Sequence, residues 1–123
     1  MKLERMEQEW TVCRIADPQE VPAGATFFFL ARTDRECSLV CPTPETPGTA
    51  TAREDGWRAF RVAGTLAFSL VGILAKITGI LAENGIGLFA VSTFDTDYLL
   101  VRRERYEEAL ALLERAGYEI ANA

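Results

Sequence analysis

Apolar and polar positions alternate with a period of two through much of the first half of the chain, and the spacing becomes helical twice in the second half. "EWTVCRI" (9–15), "TFFFLARTD" (26–34) and "RECSLVCP" (35–42) read as strands, with "RTDRE" as the tight hairpin between the last two. "ADPQEVPAGA" (16–25), with two prolines, reads as a turn or short helix, and "TPETPGTATARED" (43–55) as a loop. Trp57, Phe60 and Val62 then mark a strand from near Arg58 to Gly64, followed by the loop "TLAFSLVG". Ile73, Leu74, Ile77, Ile80 and Leu81 recur at helical spacing, Ser69 fits an N-cap, and Asn84-Gly85 is a stop signal. Residues 86–92 and 98–103 are apolar runs of strand length joined by the polar turn "TFDTD". Ala109, Leu110, Leu112 and Leu113 form a second helical stripe, with Glu107, Glu108, Glu114 and Arg115 outside it and Gly117 at its end. "YEI" (118–120) closes the chain as a strand.

The second half therefore orders as β-α-β-β-α-β, the split arrangement of ferredoxin-like folds, with an antiparallel sheet and both helices on one face. The first half repeats the strand and hairpin pattern, but its first helix shrinks to "DPQEVP" and its second gives way to the Pro/Thr loop. The expected organisation is an abbreviated N-terminal unit over residues 1–55 and a full unit over 56–123. Units of about 60 residues are marginal alone, so the two are expected to pack together under one continuous sheet.

Net charge changes the picture by exclusion. At -5, without a basic stripe, the chain lacks the clustered cations that bind a phosphate backbone. Arg102, Arg103 and Arg105 are a local group at a strand end and helix start. The N-terminal "MKLERMEQEWTVCRI" has no apolar core of a secretion signal, and the most apolar stretch, 62–81, carries Lys76 and several glycines. A cytoplasmic location without a membrane span is the expectation. Cys13, Cys37 and Cys41 are read as reduced and buried; Cys37 and Cys41 share a strand face about 13 Å apart, too far for a disulfide or a shared metal.

Catalytic chemistry finds little support. The chain has no histidine, which removes Ser-His-Asp and Cys-His arrangements. There is no phosphate-cradling glycine loop and no metal-ligand spacing, so no cofactor is expected. Asp95 and Asp97 are a carboxylate pair, but turn chemistry alone explains an aspartate beside a turn. Thr93 and Thr96 are β-formers at the same place, and Phe94 suits a core as well as a binding wall.

"SLVGILAKITGILAENGIGLFAVSTFDTDYLLV" (69–101) resembles the ACT domain, a small-molecule-binding regulatory module with a strand, a glycine-bearing loop, an "I..IL...GI" helix and a following strand. The likeness is clear over about residues 57–120. It extends to the whole chain on comparison with compact bacterial tandem ACT proteins, which are similar to the ACT domains of the cytosolic arginine sensor CASTOR. The resemblance implies a non-enzymatic sensor that binds an amino acid or related metabolite between ACT units, in a homodimer joined through sheets. The alternative is a structural or oligomerisation module without a pocket. By the resemblance, Ser69, Leu70, Val71, Gly72 and Ile73 offer helix-start amides to the ligand carboxylate. Thr93, Phe94 and Asp97 hold its amino end, and Ser38, Leu39 and Val40 are the strand of the other unit. Amides at a helix start are unpaired donors, and Gly72 permits close approach, so the physical reading agrees.

Overall fold

Residues 1–64 and 71–123 are described by the computed structural model. The chain runs β1 (Lys2–Ile15), β2 (Phe29–Arg32), β3 (Cys37–Pro42), β4 (Ala52–Val62), α1 (Ile73–Glu83), β5 (Leu88–Ser92), β6 (Asp97–Arg102), α2 (Tyr106–Arg115) and β7 (Glu119–Asn122). Two compact units emerge, one of Met1–Glu7 with Arg58–Ala123 and one of Gln8–Trp57. The fold is α+β, built of tandem ferredoxin-like ACT units of which the N-terminal one is abbreviated.

In the C-terminal unit the strands lie in the order β7-β1-β4-β6-β5. The start of β1 is thus inserted between the first and last strands of the β-α-β-β-α-β set. It pairs with β7 in parallel, Lys2 opposite Glu119 and Arg5 opposite Asn122, while β5 and β6 form an antiparallel hairpin. Period-two alternation puts Leu3, Phe60, Val62, Leu99 and Val101 on one face of this sheet. Ile77 and Leu81 of α1 and Tyr106, Ala109, Leu110 and Leu113 of α2 pack against them, so both helices cover the same face. Tyr106 locks this core. Its hydroxyl donates to the Ala59 carbonyl at 2.7 Å and accepts the Met6 N–H at 3.2 Å, and the Arg58 guanidinium lies 4.0 Å from the ring centroid.

The N-terminal unit has the strand order β2-β3-β1, antiparallel throughout, with Arg32 opposite Cys37 and Ile15 also opposite Cys37. Cys13, Ile15, Cys37, Leu39 and Cys41 cluster on one face with Val21, Phe28 and Ala50. Trp10, of opposite parity, meets Phe27 edge-on at 4.9 Å and stacks on Phe29 at 5.7 Å. In place of helices stand two single 3-10 turns, Pro18–Glu20 and Thr43–Glu45. Asp17 accepts the Gln19 N–H at 2.7 Å, and Glu20 accepts the N–H groups of Ala16 and Asp17 at 2.9 and 2.8 Å. That capping box starts a helix which Pro22, lacking an N–H, does not continue.

Several boundaries differ from the pattern-based reading. β1 starts at Lys2 instead of residue 9, and β4 starts at Ala52 inside the stretch read as a loop. Residues 52–55 are exposed, so no apolar alternation announces this part of the strand; ladder pairing makes it. β2 is confined to Phe29–Arg32, and β5 starts at Leu88. The N-cap of α1 is Gly72, not Ser69; Ser69 and Leu70 lie outside the described residues. All three cysteines are free and buried, and burial pushes the Cys13 thiol up to about 11. Among the described residues, no helix is long and apolar enough to cross a membrane.

Candidate functional site at one end of the C-terminal unit

Hydrogen bonds gather four chain segments at one end of the C-terminal sheet. Thr96 Oγ1 donates to the Val62 carbonyl at 2.7 Å, tying the β5–β6 turn to the exit of β4. Ala63 N–H donates to the Lys2 carbonyl at 2.9 Å, and Lys2 lies opposite Glu119, which places the starts of β1 and β7 beside that exit.

α1 begins at a glycine. Gly72 takes a left-handed conformation, φ 80°, and accepts the Lys76 N–H at 2.9 Å as the first helical bond. A Cβ on Gly72 would meet no heavy atom within 4 Å, so backbone conformation and not crowding calls for glycine here. Among the described residues no side chain caps the helix, and no acid stands in its first turn. By contrast α2 carries Glu107 and Glu108 in its first turn, and the Pro18–Glu20 turn is closed by Asp17 and Glu20. Among the described residues, no side chain therefore takes up the first amides of α1 or neutralises the positive end of its dipole.

A cavity of about 220 Å³ opens at this point, bordered by Val71, Gly72 and Ile73 together with Met1, Lys76, Ala116, Gly117 and Tyr118. Three of the expected site residues thus share one cavity, and Val71 is 91% exposed. The residues missed by sequence reasoning are Lys76 and the end of α2. A signal for Lys76 existed, since it is the one charge in the apolar run 62–81. For Ala116, Gly117 and Tyr118 there was none, because a helix end reads the same whether or not another element's start lies beside it.

The expected residues of the turn do not border this cavity. Thr93 serves the turn itself: its N–H and hydroxyl donate to the Thr96 carbonyl at 2.8 and 3.0 Å, and its oxygen accepts the Thr96 N–H at 3.3 Å. Asp97 accepts the Ser92 hydroxyl at 2.6 Å on one carboxylate oxygen. Phe94 is 80% exposed and forms no part of the core cluster, while Thr96, read as a plain strand former, is the buried anchor.

On β3, strand alternation divides the other three. Ser38 and Val40 point to one face; Leu39 points to the other, fully buried among the cysteines. Because β3 pairs on both sides, its backbone is committed to the ladders. Ser38 also donates to Glu36 at 2.6 Å and borders a second cavity, of about 350 Å³, within the N-terminal unit. Among the described residues, no three His, Cys, Asp or Glu side chains group as metal ligands.

A family model described as the ACT domain matches residues 52–115. The Homo sapiens and Pongo abelii proteins named cytosolic arginine sensor for mTORC1 subunit 1 are each 29% identical over 108 residues, covering 82% of this chain and 33% of their own. The chain thus spans about a third of the length of these curated relatives. The X-ray structure of an Agrobacterium tumefaciens protein superposes with a TM-score of 0.85 at 35% identity, covering 99% of this chain and 92% of that one. The ligand-free regulatory subunit of aspartate kinase from Thermus thermophilus superposes with a TM-score of 0.69 at 9% identity, covering 95% and 97%; that likeness concerns the fold alone.

Proposed function

The chain belongs to the ACT-domain family, a family of small-molecule regulatory modules, and from that premise we propose that it is a non-enzymatic sensor that reversibly binds an amino acid or related small metabolite. The observation that carries this reading is the start of α1, which has no side-chain cap among the described residues and no acid in its first turn, and which borders a cavity that Lys76 also borders. Such an end attracts a carboxylate through amide donors and the helix dipole. The volume of about 220 Å³ lies below the roughly 300–1,000 Å³ of drug-sized pockets, which suits a ligand of amino-acid size. Asp97 keeps one carboxylate oxygen beyond its bond to Ser92 and supplies the charge for an ammonium or guanidinium group.

We place the complete site at a junction between ACT units, built in a homodimer of a cytoplasmic protein. Ser38 and Val40 are the side chains that the N-terminal unit offers to it. The name of the arginine-sensor relatives supports a basic amino acid among the candidates.

A second reading, an oligomerisation module with no ligand, draws on Val71 and Phe94, two large apolar side chains at 91% and 80% exposure. A thermal-shift screen of the twenty amino acids separates the two. A ligand at one hundred times its Kd adds about 2.7 kcal/mol of apparent stability, and Lys76→Met and Asp97→Asn are expected to weaken that response. If none of the twenty moves the melting temperature while light scattering reports a stable dimer, the assembly reading holds instead.

A further inference from the structure

Three arginines of the N-terminal unit stand apart from the charge pairing seen elsewhere. Arg5, Arg53, Arg58, Arg61, Arg103 and Arg105 each lie within ion-pair distance of a carboxylate. The guanidinium groups of Arg14, Arg32 and Arg35 make no ion pair or hydrogen bond among the described residues, and all three border one cavity of about 340 Å³. Arg14 is the penultimate residue of β1, Arg32 ends β2, and Arg35 sits in the turn to β3. The cavity lies where these strands stop, and residues of both sheet faces border it.

The backbone carrying these arginines is held in place. Thr33 Oγ1 accepts the N–H groups of Arg35 and Glu36, each at 3.1 Å, which fixes the turn. Thr51 N–H donates to the Arg14 carbonyl at 2.9 Å, and Arg32 is registered against Cys37. One acid, Glu36, borders the cavity with the three arginines. Glu20 takes the amides of Ala16 and Asp17, Glu36 takes the Ser38 hydroxyl at 2.6 Å, and Asp34 does not border the cavity.

Three cationic residues without carboxylate partners among the described residues border this one cavity, and a multivalent anion is the ligand that can engage more than one of them. Each guanidinium presents a planar fork that matches two oxygens of a phosphate or carboxylate. We propose that this cavity is a binding site for a compact multivalent oxyanion, a phosphate monoester or a di- or tricarboxylate, separate from the α1 cavity. Glu36, which also borders it, keeps one oxygen to accept a hydroxyl or amino group of such a ligand.

The test is titration of the full chain with inorganic phosphate and with citrate, each against sodium chloride at matched ionic strength, followed by amide NMR shifts. Saturable shifts confined to residues 14–16, 32–37 and 51 are expected, with at least a tenfold loss of affinity in the double variant Arg32→Ala/Arg35→Ala. Phosphate acting alone assigns a phosphate ligand, and citrate acting alone assigns a polycarboxylate. The three arginines are exposed, so the double variant is expected to fold, and its spectrum reports whether it does. Shifts no larger than those from chloride, or equal shifts in a folded double variant, overturn the proposal.

Discussion

Replacing Thr96 by valine isolates the bond that ties the acidic turn to the rest of the C-terminal unit. Thr96 is 8% exposed, and its hydroxyl donates to the Val62 carbonyl at 2.7 Å. Valine keeps the branched shape and the strand preference, so the change removes a donor and little else. A buried carbonyl left without its partner costs about 1–3 kcal/mol, beyond the roughly 0.5–1.5 kcal/mol net of an ordinary hydrogen bond. The expected loss in urea denaturation is therefore about 1–3 kcal/mol. Each 1.4 kcal/mol is about tenfold in an equilibrium constant, so opening of the turn should rise by one to two orders of magnitude. Native-state hydrogen exchange reads this at the Thr93 amide, which donates to the Thr96 carbonyl across the turn. Thr96→Ser retains the donor and should recover most of the loss. If Thr96→Val unfolds at the wild-type midpoint and Thr93 exchanges no faster, Val62 is solvated and Thr96 is not an anchor.

Two further outcomes concern the cores. Tyr106→Phe keeps the ring beneath Arg58 but strips the partner from both the Ala59 carbonyl and the Met6 N–H, and a loss of about 1–3 kcal/mol is expected in urea denaturation; an unchanged midpoint refutes the lock. Cys13, with its folded pKa raised to about 11 by burial, adds stability that is full below the unfolded thiol range and is lost as pH climbs toward 11. A melting temperature that falls between pH 9 and 11, and falls less in Cys13→Ala, is the expected result; identical profiles in the two proteins count against it.

Element types were legible wherever burial is one-sided. Helix α2 announced itself because Tyr106, Ala109, Leu110 and Leu113 bury one stripe while glutamates face water, and the β5–β6 hairpin because a polar turn separates two apolar runs. The start of β4 was not legible, since its residues are exposed and only ladder pairing makes them a strand. The start of β1 hid for a related reason. Leu3 and Met6 are the buried positions among the first eight residues, and a spacing of three gives no period-two alternation to read.

The likeness to the ACT family, the helix-start glycine and the acidic turn were present in the order of residues, because local conformation and one-sided burial leave marks in sequence. Tertiary structure alone decided that β1 enters the C-terminal sheet between β7 and β4. It also decided that Thr96, not Thr93, anchors the turn, and that the end of α2 borders the same cavity as Lys76 and Gly72. It decided too that Arg14, Arg32 and Arg35 share another cavity. These are meetings of residues far apart along the chain, and the energies that select them come from ladder pairing and packing, to which no single segment's composition is sensitive.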